Sequence, residues 1–356
     1  MLEMKARGWE VVGAGAGGDG YEKAIRDLGV RFIELPVDRR ALNPLADLRL
    51  LWALWRLYRE ERPAVVHHFT IKPVIYGSIA ARLAGVHRIV NTVTGLGYVF
   101  SGAKERWLRS LVELQYKIAL RCAHYTFFQN TDDRDLFVRR GLVPAARVGL
   151  LAGSGVDLDQ FRPMEPRADR SLQVLMIARL LRDKGIYEYV EAARLLRAEF
   201  PAVTFSILGG RDERNPTVVA LADIEAWKRQ GWITWHGEVA DVRDYLAAAD
   251  IVVLPSYREG TPRSLLEAAA MARPIVTTDI TGCREVVDDG YNGLLVPVKD
   301  VMALAAAIRC LLRDAPLRHQ MGLAGREKMC SQFDERSVIA RIVEAYAAPT
   351  GRRASG

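Results

Sequence analysis

The chain has 356 residues, half of them hydrophobic and 26% charged, which supplies apolar material for two packed domains and excludes global disorder. Charge interrupts every apolar run, as between Leu48 and Arg56, so no stretch reaches the ~18 apolar residues of a membrane helix, and residues 1–10 lack the apolar core of a secretion signal. The net charge of +7 sits entirely in the first half: residues 1–168 carry 25 Lys/Arg against 18 Asp/Glu, and the remainder 25 against 25.

That basic half should attract an anion. Zinc-finger spacing, an RNA-binding aromatic signature and a polybasic run are all missing, so a phosphorylated substrate or an anionic membrane surface fits better than nucleic acid. Cys122, Cys283, Cys310 and Cys330 are scattered, with no Cys-x-x-Cys pair, as expected of a reducing cytoplasm.

In chain order, Val11-Val12 reads as a strand ending in a glycine-rich turn, residues 21–28 as a helix closed by Gly29, and residues 31–35 as a strand stopped by Pro36. Residues 45–60 read as an amphipathic helix, with Leu48, Leu51, Trp52, Trp55 and Tyr58 at helical spacing. Val65-Val66 is a short buried strand, 74–83 a helix, 88–93 a strand, 104–123 a helix, 125–129 a strand and 132–140 a helix. The second half repeats the alternation, with strands at 172–177, 204–208, 233–236, 251–254 and 274–278, and helices at 187–199, 218–230, 242–248 and 264–272. Strict alternation means parallel sheets, because parallel neighbours need a long crossover. Two such runs predict two doubly wound domains, 1–167 and 168–333, then a helix over 334–348 crossing back to the first domain and a disordered tail at 349–356.

Gly13, Gly15 and Gly18 satisfy Gly-x-Gly-x-x-Gly between a strand and a helix, with Glu34 near the next strand's end. On this pattern alone the alternative is a nicotinamide-dependent oxidoreductase. The turn has surplus glycines and a helix-like segment precedes its strand, so a flexible loop at a strand's carboxyl end fits better.

Ser256 to Glu267 is the most informative segment. It follows a buried strand and opens a helix, with Thr261 suited to capping and Pro262 to the first helical position. Ligands of open parallel sheets bind beyond the carboxyl ends of strands, where a helix N-terminus suits a diphosphate. Glu259 in the loop and Glu267 in the early helix would accept hydrogen bonds from sugar hydroxyls. Arg179 and Lys184, past the strand at 172–177, would clamp the diphosphate and neutralise it as a leaving group.

Glu259-x7-Glu267, the Ala-Arg-Leu-x-x-x-Lys-Gly segment at 178–185, Gly153-Ser-Gly-Val-Asp157 and Ile207-Leu-Gly-Gly210 together resemble glycosyltransferase family 4 over almost the whole chain. The resemblance implies an α/β GT-B fold, two Rossmann-like domains facing a central cleft, with metal-independent, retaining transfer from a nucleotide sugar, most simply a UDP-sugar, and no other cofactor. It implies that Arg179 and Lys184 hold the donor diphosphate, Glu259 the donor sugar and Glu267 the ribose. Gly260 and Thr261 would offer backbone N–H groups, Gly209 would line the donor, and His236 to Val239 would flank the base.

His67-His-Phe-Thr-Ile-Lys-Pro73 and Asn91-Thr-Val-Thr-Gly-Leu-Gly97 each follow a strand of the first half. They resemble the branch of the family that includes bacillosaminyl-diphospho-undecaprenol N-acetylgalactosaminyltransferases and related polysaccharide enzymes. This implies a lipid-diphosphate-linked or other glycan acceptor met by His67, His68, Thr70, Lys72, Thr94, Gly95 and Gly97, and an enzyme peripheral on the inner face of the cytoplasmic membrane. Two departures stand out. Phe69 replaces the second histidine of the family's His-x-His pair, and the family's first strand is missing, which admits a truncated, inactive homologue as a further alternative. Asp157-Leu-Asp159 resembles a metal-binding Asp-x-Asp, but its place in a turn at the domain join favours a structural role.

Overall fold

β-Branched runs between helix-length amphipathic segments make strands wherever both faces are covered. In the computed structural model, which describes residues 1–18, 21–37, 43–95, 106–164, 171–213 and 215–348, they form two α/β units, Met1–Leu151 with Ile339–Gly356, and Ala152–Val338.

The first unit holds two parallel sheets. β1 (Val12–Gly15) pairs with β2 (Arg31–Glu34), and β3 (Val65–Phe69), β4 (Arg88–Val93), β5 (Tyr125–Phe128) and β6 (Val148–Leu150) follow one another in sequence order. The helices are α1 (Leu2–Ala6), α2 (Tyr21–Asp27), α3 (Pro44–Glu61), α4 (Ser78–Ala84), α5 (Arg106–Cys122) and α6 (Thr131–Arg139), with a π-helical turn over Pro73–Gly77. Asn43 starts α3 by accepting from the Leu45 and Ala46 N–H groups, and Arg62 ends it in left-handed geometry. The stripe that α3 buries is Leu50, Leu54 and Tyr58, whereas Leu48 and Trp52 stay 60% and 58% exposed. The helix carries two apolar faces, and periodicity alone named the mixture.

The second unit is one six-stranded parallel sheet: β7 (Gln173–Ile177), β8 (Thr204–Leu208), β9 (Thr234–Trp235), β10 (Ile251–Leu254), β11 (Ile275–Thr278) and β12 (Gly293–Val296), in the order β12-β11-β10-β7-β8-β9. Around it lie α7 (Ile186–Arg197), α8 (Leu221–Arg229), α9 (Arg243–Ala248), α10 (Arg263–Ala270), α11 (Thr281–Val286), α12 (Val301–Arg313) and α13 (Ala315–Gln332). The buried runs Val174-Leu175-Met176 and Ile251 to Leu254 form its centre. The strand order reverses between β7 and β10, which is the switch point where such sheets open a binding crevice.

The division at Leu151 corrects the boundary expected at residue 167. The segment after Leu151 belongs to the second unit because Val156 N–H donates to Phe333 C=O, Glu335 N–H donates back to Val156 C=O, and Phe161 is buried in that core. Asp157 and Asp159 also work here: Asp157 accepts from the N–H groups of Asp159 and Gln160, and Asp159 pairs with Arg336. A last helix, α14 (Glu335–Ala347), begins in the second unit and ends in the first, where Arg88 donates to Ala345 C=O. The tail at 349–356 lies outside the described residues.

Candidate active site

Four loops at the carboxyl ends of β7, β8, β10 and β11 come together through glycines. Gly185, at φ +76°, lies so close to Pro255 that an added Cβ would stand 2.1 Å from its carbonyl oxygen. At Gly209, φ +143°, a Cβ would meet Ala178 O at 1.9 Å, and at Gly282 it would meet Gly260 O at 1.6 Å. Backbone therefore stacks on backbone across the switch point, an approach only glycine allows.

On this platform two residues that the sequence singled out separately meet. Lys184 Nζ donates to Glu259 Oε1 at 2.5 Å, and the Ser256 hydroxyl donates to the same oxygen at 2.7 Å. The two side chains are only 20% and 12% exposed. Lysine has three donors and glutamate a second oxygen, so each keeps capacity for a ligand. Arg179 is more exposed and lies 3.5 Å from Asp212. Glu267 sits within α10, its carboxylate accepting from Arg263 Nε at 2.7 Å and its pKa raised by burial. The helix begins at Arg263, one residue ahead of the expected 264, and its cap position falls on Pro262 in place of Thr261, with no side-chain cap. Thr261 instead packs against Gly153, whose added Cβ would stand 2.8 Å from Thr261 Cβ.

Beside β9, His236 Nε2 lies 3.4 Å from Ser206 Oγ with its ring edge-on to Tyr245. Gly209 N–H donates to Gly237 C=O, and Trp235 Nε1 donates to Gly209 C=O. Gly210 faces Glu238, and Val239 is half-buried against the core. The residues expected around the donor thus share one end of one sheet.

In the first unit, His67 and His68 lie within β3 rather than beyond it, because the strand continues in register to Phe69 opposite Thr92. Both histidines are already engaged. His67 joins the Tyr346 hydroxyl through Nδ1 and the Thr92 hydroxyl through Nε2, each at 2.7 Å. His68 joins Asn91 through Nδ1 and Tyr58 through Nε2, each at 2.9 Å. Burial drives their pKa values down, to about 3 and about 4, so both are neutral at pH 7. Phe69 stacks on His67 with centroids 4.2 Å apart.

Beyond the strand, Thr70 is exposed and holds φ +68°, strained for a β-branched residue and a recurrent mark of functional turns. Lys72 Nζ pairs with Asp47 at 2.9 Å, and Tyr76 donates to the other oxygen of that carboxylate. Thr94 and Gly95, the latter at φ +142°, follow β4. Gly97 lies outside the described residues.

Two family profiles match this chain: one described as glycosyl transferases group 1 over residues 171–314, and one as glycosyl transferase 4-like domain over residues 1–152. The chain is 30% identical, over 92% of its length and 88% of the relative's, to the N,N'-diacetylbacillosaminyl-diphospho-undecaprenol alpha-1,3-N-acetylgalactosaminyltransferase of Campylobacter jejuni. The chain belongs to glycosyltransferase family 4. A second relative, the UDP-Gal:alpha-D-GlcNAc-diphosphoundecaprenol alpha-1,3-galactosyltransferase of Escherichia coli, is 27% identical over 90% of this chain and 84% of its own.

The fold is GT-B. The sucrose-phosphate synthase of Thermosynechococcus elongatus superposes with a TM-score of 0.77 at 22% identity, covering 97% of this chain and 90% of that one. HepE of Anabaena, solved in complex with UDP, gives 0.74 at 18% identity, covering 93% and 90%.

As a family 4 hexosyltransferase the chain leaves no place for the oxidoreductase alternative. Gly13 and Gly15 are spent inside β1, and the Gly18 N–H is taken by the Glu22 carboxylate at 3.1 and 3.2 Å. Sequence reasoning missed three contributors. Ser256 and Arg263 orient the two glutamates, and both stood within the segment already singled out. Tyr346 reaches His67 from 279 positions away, which no local pattern signals. Among the described residues no group of three or more His, Cys, Asp or Glu side chains is placed to hold a metal ion. Nor is any described helix long and apolar enough to cross a membrane.

Proposed function

We propose that this glycosyltransferase moves a sugar, with retention at the anomeric carbon, from a UDP-sugar to a lipid-diphosphate-linked glycan in cell-surface polysaccharide synthesis. The carrying observation is the Lys184–Glu259 pair held across the switch point between β7 and β10. A cation beside a carboxylate suits a donor whose diphosphate meets Lys184 and Arg179 and whose sugar hydroxyls meet Glu259. Glu267 takes the ribose, Gly260 and Thr261 offer N–H groups, Gly209 lines the donor, and His236 to Val239 flank the base.

The anomeric carbon–oxygen bond to the diphosphate breaks as the acceptor oxygen attacks on the same face. The leaving phosphate oxygen accepts the acceptor's proton, so the scheme needs neither a metal ion nor a side-chain base. Preorganised positive charge at the leaving group is then the chief source of rate. The acceptor rests on Thr70, Lys72, Thr94, Gly95 and Gly97, with the neutral His67 and His68 holding β3 in place.

A diphospho-undecaprenol acceptor is supported by the Campylobacter and Escherichia relatives, each named for one. Peripheral attachment to the inner face of the cytoplasmic membrane is supported by the outer face of α3. There Leu45, Leu48 and Trp52 are exposed and the Arg56 and Arg59 guanidinium groups lie 5.8 and 6.0 Å from the Trp52 and Trp55 rings. The test is a screen of UDP-GalNAc, UDP-Gal, UDP-GlcNAc and UDP-Glc against a polyprenyl-diphosphate-linked sugar, with EDTA present and product anomers assigned by NMR. An α-linked product is expected. Inverted product, strict dependence on a divalent metal, or turnover only with free saccharides would overturn the reading.

A further inference from the structure

The loop after β7 and the loop after β10 touch at two points in opposite order. Gly185 lies against the Pro255 carbonyl, and Tyr257 N–H donates to Asp183 C=O at 2.9 Å. That register sets Lys184 opposite Ser256, the place from which Lys184 Nζ and Ser256 Oγ both reach Glu259 Oε1. Beside them the half-buried Tyr257 side chain is fastened twice. Its hydroxyl donates to Glu188 Oε1 at 2.6 Å, and the Lys299 ammonium stands over its ring, 4.8 Å from the centroid.

Glu188 lies in the first turn of α7, just past Lys184 and Gly185. Tyr257 therefore holds the chain on both sides of Lys184, at Asp183 by its backbone and at Glu188 by its side chain, while its own chain reaches Glu259 two residues later. Lys299 reaches it from the turn between β12 and α12, where it holds φ +64°, an uncommon conformation for a residue with a long side chain. The hydroxyl suits a fixed strut. Burial first, and then the Glu188 carboxylate, raise its pKa above the usual tyrosine value, so it remains a donor at neutral pH, in a charge-assisted bond. The other Glu188 oxygen, Oε2, is buried with no hydrogen-bond partner among the described residues, which leaves the Tyr257 hydroxyl to hold this carboxylate.

We propose that Tyr257 is a positioning residue for sugar transfer: through its Glu188 hydrogen bond and its Lys299 contact it sets where the Lys184 ammonium and the Glu259 carboxylate stand relative to the departing diphosphate. This rests on the donor-site reading of Lys184 and Glu259. A shift of ~1 Å in a reacting geometry can cost about 100-fold in rate, so losing one of the two side-chain anchors is expected to cost about tenfold.

The test compares Tyr257→Phe, which keeps the ring under Lys299 and loses the hydroxyl, with Glu188→Gln, which keeps an acceptor oxygen, and Glu188→Ala, which does not. Nucleoside diphosphate release is measured across donor concentrations, at a temperature where circular dichroism shows each variant folded. Tyr257→Phe and Glu188→Ala should each lower kcat about tenfold with the donor KM within about threefold of the parent, and combining them should cost no more than either alone. Glu188→Gln should keep kcat within about threefold even where its buried amide lowers the Tm, an outcome that a purely structural role for the pair does not give. Parental kcat in folded Tyr257→Phe, or losses that multiply in the double variant, would overturn the proposal. Lys184→Met tells this apart from the donor reading. If Lys184→Met also keeps the parental kcat, both fall; if it loses activity while Tyr257→Phe does not, the positioning role alone falls.

Discussion

Replacing Lys184 by Met separates its two roles. The Lys184 ammonium lies 2.5 Å from Glu259, and both side chains are mostly buried. Its removal leaves the Glu259 carboxylate held by the Ser256 hydroxyl. An incompletely satisfied buried carboxylate costs about 1–3 kcal/mol, and partial exposure favours the middle of that range. About 2 kcal/mol lowers the Tm by ~4–8 °C for a domain of this size. The double substitution Lys184→Met with Glu259→Gln removes both charges and should recover most of the loss. Activity should not recover, because the departing diphosphate still lacks the Lys184 ammonium and keeps only Arg179. The kcat for nucleoside diphosphate release should fall about 100-fold or more in both variants, equivalent to ~2.7 kcal/mol or more of transition-state stabilisation. Scanning fluorimetry and initial rates at saturating donor read the two effects separately. A destabilised single variant that keeps kcat within about threefold of the parent would refute the assignment and leave Lys184 a structural partner of Glu259.

Gly282→Ala should abolish donor turnover and lower the Tm, since its Cβ would stand 1.6 Å from Gly260 O and must displace the loop that carries Glu259. The same change at Gly290, whose added Cβ meets nothing within 4 Å, should cost only about 1 kcal/mol through its φ of +74°. Glu267→Gln should raise the donor KM about tenfold, ~1.4 kcal/mol, with little change in kcat if the residue binds ribose; equal kcat and kcat/KM losses would place it at the reacting centre instead. The buried histidines give a pH prediction. Their folded pKa values, about 3 for His67 and about 4 for His68, lie below the unfolded value of about 6.5, so the unfolded state binds protons first. Stability is full above about pH 6.5 and falls as pH drops toward 4, by about 2 kcal/mol per histidine between pH 7 and pH 5. Urea unfolding should show this drop, and His68→Asn should show roughly half of it.

The donor half was legible because its chemistry is local. The segment from Ser256 to Glu267 runs from a buried strand into a helix, so strand-end logic alone puts Glu259 in the loop and Glu267 in the helix that follows. The cap was misassigned by one residue: Thr261 is used tertiarily, against Gly153, and Pro262 takes the cap position. Pairings across the sheet were less legible. That Lys184 meets Glu259 depends on β7 and β10 being neighbours, a fact of strand order that no local window contains. The domain boundary failed for the same reason: a proline-containing stretch reads as a linker, while the preceding turn is tied to the second unit by two backbone hydrogen bonds to residues 333 and 335.

The acceptor half was harder to read because its polar residues serve two competing purposes. In sequence, His67, His68 and Lys72 look like ligand groups at a strand end. In the structure each histidine nitrogen has a side-chain partner and the lysine has Asp47, so most of their hydrogen-bonding capacity goes into fixing β3 and the first turn after it. That use has a physical reason. Among the described residues β3 pairs only with β4, so its backbone is held there by one ladder where an interior strand has two. Side-chain hydrogen bonds from β3 to Tyr58 of α3, Asn91 and Thr92 of β4 and Tyr346 of α14 supply part of that missing order. Thr70 keeps its strained conformation immediately beyond this reinforced strand. A turn held at φ +68° needs rigid neighbours, and the two histidines provide them; on the proposed acceptor role they act as positioning residues, and direct contact falls to the turns that follow.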